Sequence, residues 1–131
     1  MVLVDSSVLI DFLKGKKNIS SKKLEDIIER KIPFGITSLI YQEILQGAKN
    51  LSEFNLLKEY LSTQIFYHPI DIFKSYENSA KLFFNLSKKG ITVRSTIDCL
   101  IVQIAKDNNL YLLHNDRDFK PICKLANVKE F

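Results

Sequence analysis

Four carboxylates stand at places in this chain that solubility alone does not explain. Asp5 ends the apolar run Val2, Leu3, Val4, and Asp116 lies just beyond a second such run, Tyr111, Leu112, Leu113. Asp98 opens a helical pattern, and Glu43 shares one helical stripe with Leu39, Ile40, Ile44 and Gly47. An unpaired charge is costly to bury, so a carboxylate on an inward face neutralises, pairs with a cation or binds a metal. Each acid also has an ordinary reading. Asp5 can cap the helix that follows it by accepting from Ser7 or Val8, and Glu43 can reach out to a lysine. Asp98 stands three residues after Ser95, the spacing of a capping box, and Asp116 and Asp118 suit an Asx-type turn. Together, acids at two strand ends, a helix start and an inward helical face can point into one crevice. Left bare they repel one another, so the set implies one or two divalent cations, with Mg2+ or Mn2+ favoured by all-oxygen ligation.

The elements that must deliver these acids follow from periodicity and turn chemistry. Val2 to Val4 reads as a strand buried on both faces, and a short helix follows from Val8 to Leu13. Ser20 or Ser21 caps a helix over Lys22 to Arg30, which Pro33 ends. Phe34 to Ile36 is a second strand, and Thr37 or Ser38 opens a helix that runs through Gln46 and closes at Gly47. Leu51 to Leu61 continues as an amphipathic helix and Ile65 to Tyr67 as a third strand. A long helix runs from Asp71 to about Lys88 and stops at Gly90, with Ile72, Phe73, Tyr76, Ala80 and Phe83 facing inward. Leu82 and Leu86 widen its apolar arc, either under the preceding helix or as a protein interface. Ser95 or Thr96 starts a helix with a stripe of Ile97, Leu100, Ile101, Ile104 and Ala105, broken at Asn108 and Asn109. Tyr111 to Leu113 is a strand, and Val128 to Phe131 a candidate edge strand. Short strands alternating with helices predict a three-layer α/β/α fold with a short, mainly parallel sheet.

With 131 residues the chain fits one domain, residues 1 to 131, and 46% hydrophobic with 26% charged residues is a globular composition. No apolar run approaches the ~20 residues that span a bilayer, and no signal segment precedes the first strand, so no membrane partner and a cytoplasmic location are expected. Cys99 and Cys123 lack metal-ligand spacing and read as buried thiols. The net charge of +4 favours a polyanionic partner. Lys14, Lys16 and Lys17 form one basic group, Lys88, Lys89 and Arg94 a second, and Arg117, Lys120 and Lys124 a third. Cations converging around an acidic pocket suit a phosphodiester substrate.

The blocks VLVDSSVLI, TSLIYQEILQGA, RSTIDCLIVQIA and LLHNDRDF, in this order, resemble the PIN-domain ribonucleases, especially the VapC-type toxins of bacterial toxin–antitoxin pairs. The resemblance covers nearly the whole chain. It implies that Asp5, Glu43, Asp98 and Asp116 form the catalytic metal site, with Asp118 as an auxiliary acid or loop support. It further implies that Ser6 or Ser7 orients Asp5 and that Arg94 lies near the substrate path or the antitoxin contact. Cys99 and Gln103 depart from common family usage, where small residues are frequent, and so does His114, where a hydroxyl residue often stands. Those departures bear on local packing and substrate preference; His114 is expected to pack or to bond the loop rather than act as a general base.

The expected activity is Mg2+- or Mn2+-dependent hydrolysis of RNA phosphodiester bonds. By the resemblance alone, the substrate is RNA, with tRNA as the specific expectation, and the partners are a cognate antitoxin and a second copy of the chain as a homodimer. A non-catalytic RNA-binding or scaffold module on the same fold is the alternative, and its mark would be a missing acid. A haloacid-dehalogenase-like phosphatase would want an acid two residues beyond Asp5, where Ser7 stands.

Overall fold

The computed structural model describes residues 1 to 131. Four strands, β1 (Val2–Val4), β2 (Phe34–Thr37), β3 (Ile65–Tyr67) and β4 (Tyr111–Leu113), form one sheet in the order β3-β2-β1-β4. All three strand pairs are parallel. Seven helices accompany them: α1 (Ser6–Leu13), α2 (Ile19–Glu29), α3 (Ser38–Gln46), α4 (Leu51–Leu61), α5 (Ile72–Lys88), α6 (Thr96–Asp107) and α7 (Phe119–Ala126).

This order fixes where a site can form. The chain steps from β1 to β2 to β3 in one direction, then returns across the sheet to place β4 on the far side of β1. Parallel crossovers are right-handed, so reversing direction puts the intervening helices on opposite faces. The packing agrees: α1 touches α2 and α3, and α3 touches α4, while α5, α6 and α7 pack on one another. The result is the expected three-layer α/β/α arrangement. The strand order reverses between β1 and β4, and the crevice outside their carboxyl ends is where open α/β sheets bind ligands. Asp5 leaves β1 there, with its backbone N–H donating to Leu113 O at 2.9 Å.

The core explains the local sequences. β1 is wholly buried, as its apolar run requires, and Leu112 and Leu113 of β4 are buried beside it. Gly35 in β2 permits close pairing with β3, since a Cβ there would lie 2.4 Å from the Ile65 carbonyl oxygen. In α6 every residue from Cys99 to Ala105 is buried, so this helix is enclosed all round instead of showing one stripe. Gln103 is accommodated by donating to Asp107 Oδ1 at 2.9 Å. Ile97, expected inside, is exposed.

Several expected boundaries and faces differ. Helix α1 starts at Ser6 rather than Val8 because Asp5 caps it directly. Asn18, not Ser20 or Ser21, caps α2, and the Ser21 hydroxyl completes the capping box from inside the helix. The buried face of α5 is Ser75, Ser79, Leu82 and Leu86, while Ile72, Phe73 and Tyr76 are exposed. Ser75 can turn inward because its hydroxyl bonds Asp107, leaving the bulky residues outside. Helix α7 has no counterpart in the sequence-based expectation. Its buried residues Phe119, Ile122, Cys123 and Ala126 have helical spacing, and Pro121 lies in the first turn, where no helical N–H bond is lost. The expected strand at Val128 to Phe131 reduces to one parallel bridge between Leu112 and Glu130.

Candidate metal centre

Asp5 is the N-cap of α1 and is 4% exposed. Its Oδ2 accepts from the Ser7 backbone N–H at 3.0 Å and from the Ser7 hydroxyl at 2.6 Å. The Ser7 oxygen in turn accepts from the Asn115 N–H at 3.0 Å, tying the β1 turn to the β4 turn. Burial pushes the Asp5 carboxyl above its usual range, against the Ser7 and Ser6 hydrogen bonds that favour its charged form. The capping role is therefore real, but both Ser7 bonds fall on one oxygen and leave Oδ1 for another partner.

Glu43 leaves α3 half-buried, and its Oε1 is fully enclosed without a hydrogen-bond partner. No lysine pairs with it. Burial raises its pKa, the negative charge of Asp5 raises it further, and the Ser6 hydroxyl acts in the opposite direction. A buried, unpartnered carboxylate oxygen beside another acid is a group that a divalent cation would satisfy.

Asp98 lies in the first turn of α6. The capping box with Ser95 is not made; the Ser95 hydroxyl accepts from the Ile97 N–H at 3.2 Å instead, so the Asp98 carboxylate is not committed to the cap. Its pKa is pushed up to about 7, first by burial and then by the charges of Asp5, Asp116, Glu43 and Asp118. The charges of the other four acids are thus all felt at Asp98. One carboxylate oxygen each from Asp98, Asp116 and Asp118 lie within 4.8 Å of one another, a spacing that suits a shared cation. Asp118, expected as an auxiliary acid, shares this close group, whereas Asp5 and Glu43 lie outside it and bear on Asp98 through their charge.

The β4 turn carries Asp116 and Asp118. Asp116 Oδ1 accepts from the Asp118 N–H at 3.0 Å, forming the expected Asx turn. Arg94, exposed at the mouth, donates from Nε to Asp118 Oδ2 at 2.6 Å and brings Nη2 to 3.9 Å from Asp116 Oδ1. It offsets part of the repulsion among the acids, and these contacts raise its own pKa further.

Other contacts hold this turn, and among them His114 bonds the loop as expected. Asp11 Oδ2 accepts from both Asn115 Nδ2, at 3.1 Å, and Asn18 Nδ2, at 2.9 Å. His114 bonds Asp116 and Glu130. Beside Asp116 opens a cleft of about 560 Å³ with Lys23, Arg117 and Lys120 on its walls. The basic residues near Arg117 were legible as a cluster, but Lys23 joins them only through the fold.

The donor set is wholly carboxylate, includes one orphaned buried oxygen, and holds a carboxyl whose pKa burial and then its acidic neighbours raise; these features fit a hard divalent cation. Comparison with known proteins agrees with this architecture. The chain is 25% identical over 130 residues to ribonuclease VapC11 of Mycobacterium tuberculosis, covering 98% of this chain and 96% of that protein. Its fold resembles the DNA-bound VapBC of Salmonella typhimurium, with a TM-score of 0.77, 18% identity and coverage of 99% of this chain and 96% of that one. It also resembles VapBC2 of Rickettsia felis bound to a promoter DNA fragment, with a TM-score of 0.74, 18% identity and coverage of 100% and 98%. The PIN domain family model matches residues 2–125, nearly all of the sheet, helices and acidic crevice described above, and the chain belongs to the PIN domain family.

Proposed function

We propose that this protein is a divalent-cation-dependent endoribonuclease, the toxin component of a toxin–antitoxin pair. The observation that carries the reading is the close group of Asp98, Asp116 and Asp118 carboxylates, with Asp5 and the orphaned Glu43 Oε1 near enough for their charges to act on Asp98. The similarity to VapC11, a ribonuclease by name, supports the nuclease class.

Asp5, Asp98 and Asp116 would hold a Mg2+ or Mn2+ ion, with Glu43 and Asp118 completing the set directly or through water. A cation bound there supplies a more acidic water and stabilises charge developing at phosphorus. The residues do the rest. Ser7 fixes Asp5 and, through Asn115, the turn that carries Asp116. Ser6, buried next to Asp5, favours the charged form of Glu43. Arg94 neutralises the outer carboxylates and stands exposed at the point where a phosphodiester would arrive. Lys23, Arg117 and Lys120 line a cleft that can carry the flanking RNA backbone by charge neutralisation. No covalent nucleophile is required.

A folded RNA such as a tRNA is the substrate we favour. A cognate antitoxin is the expected partner, because the structural neighbours include toxin–antitoxin complexes. The exposed Ile72, Phe73 and Tyr76 of α5 suit a homodimer contact. No helix is long and apolar enough to cross a membrane, and we place the protein in the cytoplasm. The test is cleavage of a tRNA pool with Mg2+ or Mn2+ by wild type, Asp5→Asn and Asp98→Asn. Only wild type should cut. Equal cleavage by all three would reject the site, and no cleavage by a folded, metal-binding wild type would favour a non-catalytic RNA-binding module.

A further inference from the structure

We propose that His114 is a positioning residue that holds the Asp116 turn, and that it is itself aimed by Glu130 from the C-terminal segment. The inference rests on the metal-site reading of Asp116 but concerns residues outside that acid set.

The His114 side chain is only 7% exposed, and both ring nitrogens are engaged. The Asp116 backbone N–H donates to Nδ1 at 3.2 Å, and Nε2 lies 2.5 Å from Glu130 Oε1. The first bond requires a lone pair on Nδ1, so the proton of the neutral ring is on Nε2 and is donated to the Glu130 carboxylate. Turning the ring over about Cβ–Cγ would set a C–H against the Asp116 N–H, so orientation decides whether the turn is held. Phe119 packs on the ring at 5.0 Å between centroids, and Ser20 donates to the His114 carbonyl oxygen at 3.2 Å.

Glu130 is placed by backbone pairing. The Leu112 N–H donates to Lys129 O at 2.9 Å, and the Phe131 N–H donates to Leu112 O at 2.8 Å. Lys23 Nζ also donates to Phe131 O at 2.8 Å. Residues 129 to 131 thus form a clasp along β4, and Glu130 is the one that bonds the ring. A serine or threonine at position 114 would bond the N–H two residues on with its own hydroxyl. A histidine does the same with Nδ1, but its longer ring needs an outer partner to hold it in place. Carboxylates aim metal-ligating histidines in the same way; His114 stands one step further out, on the backbone of the Asp116 turn.

The test uses the full chain with Glu130→Leu, Glu130→Gln, His114→Leu and His114→Asn. In metal-free protein, long-range proton–nitrogen NMR should show wild-type His114 protonated on Nε2, with the Asp116 amide protected from exchange. Glu130→Leu should mix the tautomers, speed exchange of that amide, and weaken Mn2+ binding in calorimetry by less than the roughly tenfold lost with a direct partner of a ligand. Glu130→Gln, which keeps an acceptor oxygen, should restore all three. His114→Asn keeps an acceptor at the Nδ1 position and should bind Mn2+ more tightly than His114→Leu. A wild-type His114 protonated on Nδ1 would overturn the proposal. So would a Glu130→Leu protein with unchanged tautomer and Asp116 exchange, which would make the contact one of packing only. If wild type binds no Mn2+, the metal reading fails, while tautomer and exchange still decide the role of His114.

Discussion

Replacing Asp98 with asparagine should stabilise the metal-free protein, although the residue belongs to the proposed active site. The Asp98 pKa rises from an ordinary 3.8 to about 7 because the folded state charges it in a partly buried place facing four other acids. At about 1.4 kcal/mol per pH unit, that rise corresponds at face value to ~4 kcal/mol. Asp98 is partly exposed, and solvent screening lowers the figure to about 1–2 kcal/mol. Between pH 3.8 and about 7 the folded protein holds a proton that the unfolded chain has released. Wild-type stability therefore falls as pH rises through that window. The asparagine side chain has no such cost, so the advantage of Asp98→Asn should be full at pH 8 and shrink to about 0.5 kcal/mol at pH 5. Thermal unfolding in EDTA should show Asp98→Asn melting roughly 3–10 °C above wild type at pH 8. Saturating Mn2+ should reverse the order, since it binds the folded wild type and stabilises it by mass action. An Asp98→Asn protein that melts below wild type at pH 8 in EDTA, or whose advantage does not change with pH, would refute this reasoning.

Three further outcomes follow from single contacts. Ser7→Ala removes the donor to Asp5 and the acceptor of the Asn115 N–H; thermal unfolding should show a loss of about 1–3 kcal/mol, and Ser7→Thr, which keeps the hydroxyl, should recover most of it. Gly35→Ala would put a methyl 2.4 Å from Ile65 O and 2.7 Å from the Tyr67 ring, and urea unfolding should register a loss of about 1–3 kcal/mol from the forced separation of β2 and β3. Arg117→Ala combined with Lys120→Ala should weaken binding of a non-cleaved RNA to the Asp5→Asn protein and lower the log–log salt slope by about 1–2.

The sheet was legible because each strand is a short apolar run that ends at a turn signal, and Asp5 and Asp116 could be placed at strand ends for that reason. Their adjacency was not contained in either segment. It arises from the return of the chain to the free side of β1, which is a property of topology. The face of α5 is misleading in sequence because Ile72, Phe73 and Tyr76 look like core residues by type, whereas the structure buries Ser75 and Ser79 there. A serine can turn inward when a distant acid accepts its hydrogen bond, and Asp107, thirty-two residues on, does so for Ser75. Helix α7 was hidden by Pro121, which reads as a breaker unless the helix start is known. Within the site, the four acids carried a signal through their unusual positions. The Ser7–Asn115, Asp11–Asn18 and His114–Glu130 contacts carried none, since any polar surface residue would look the same in sequence.

The central claim is that acids from β1, α3, α6 and the β4 turn form one divalent-cation site. Calorimetric titration of Mn2+ into the folded wild type, Glu43→Gln and Asp98→Asn tests it most directly. Saturable binding to wild type is expected, with at least roughly tenfold weaker binding to each variant and all three proteins folded by circular dichroism. Equal affinity in all three, or no binding to a correctly folded wild type, would contradict it.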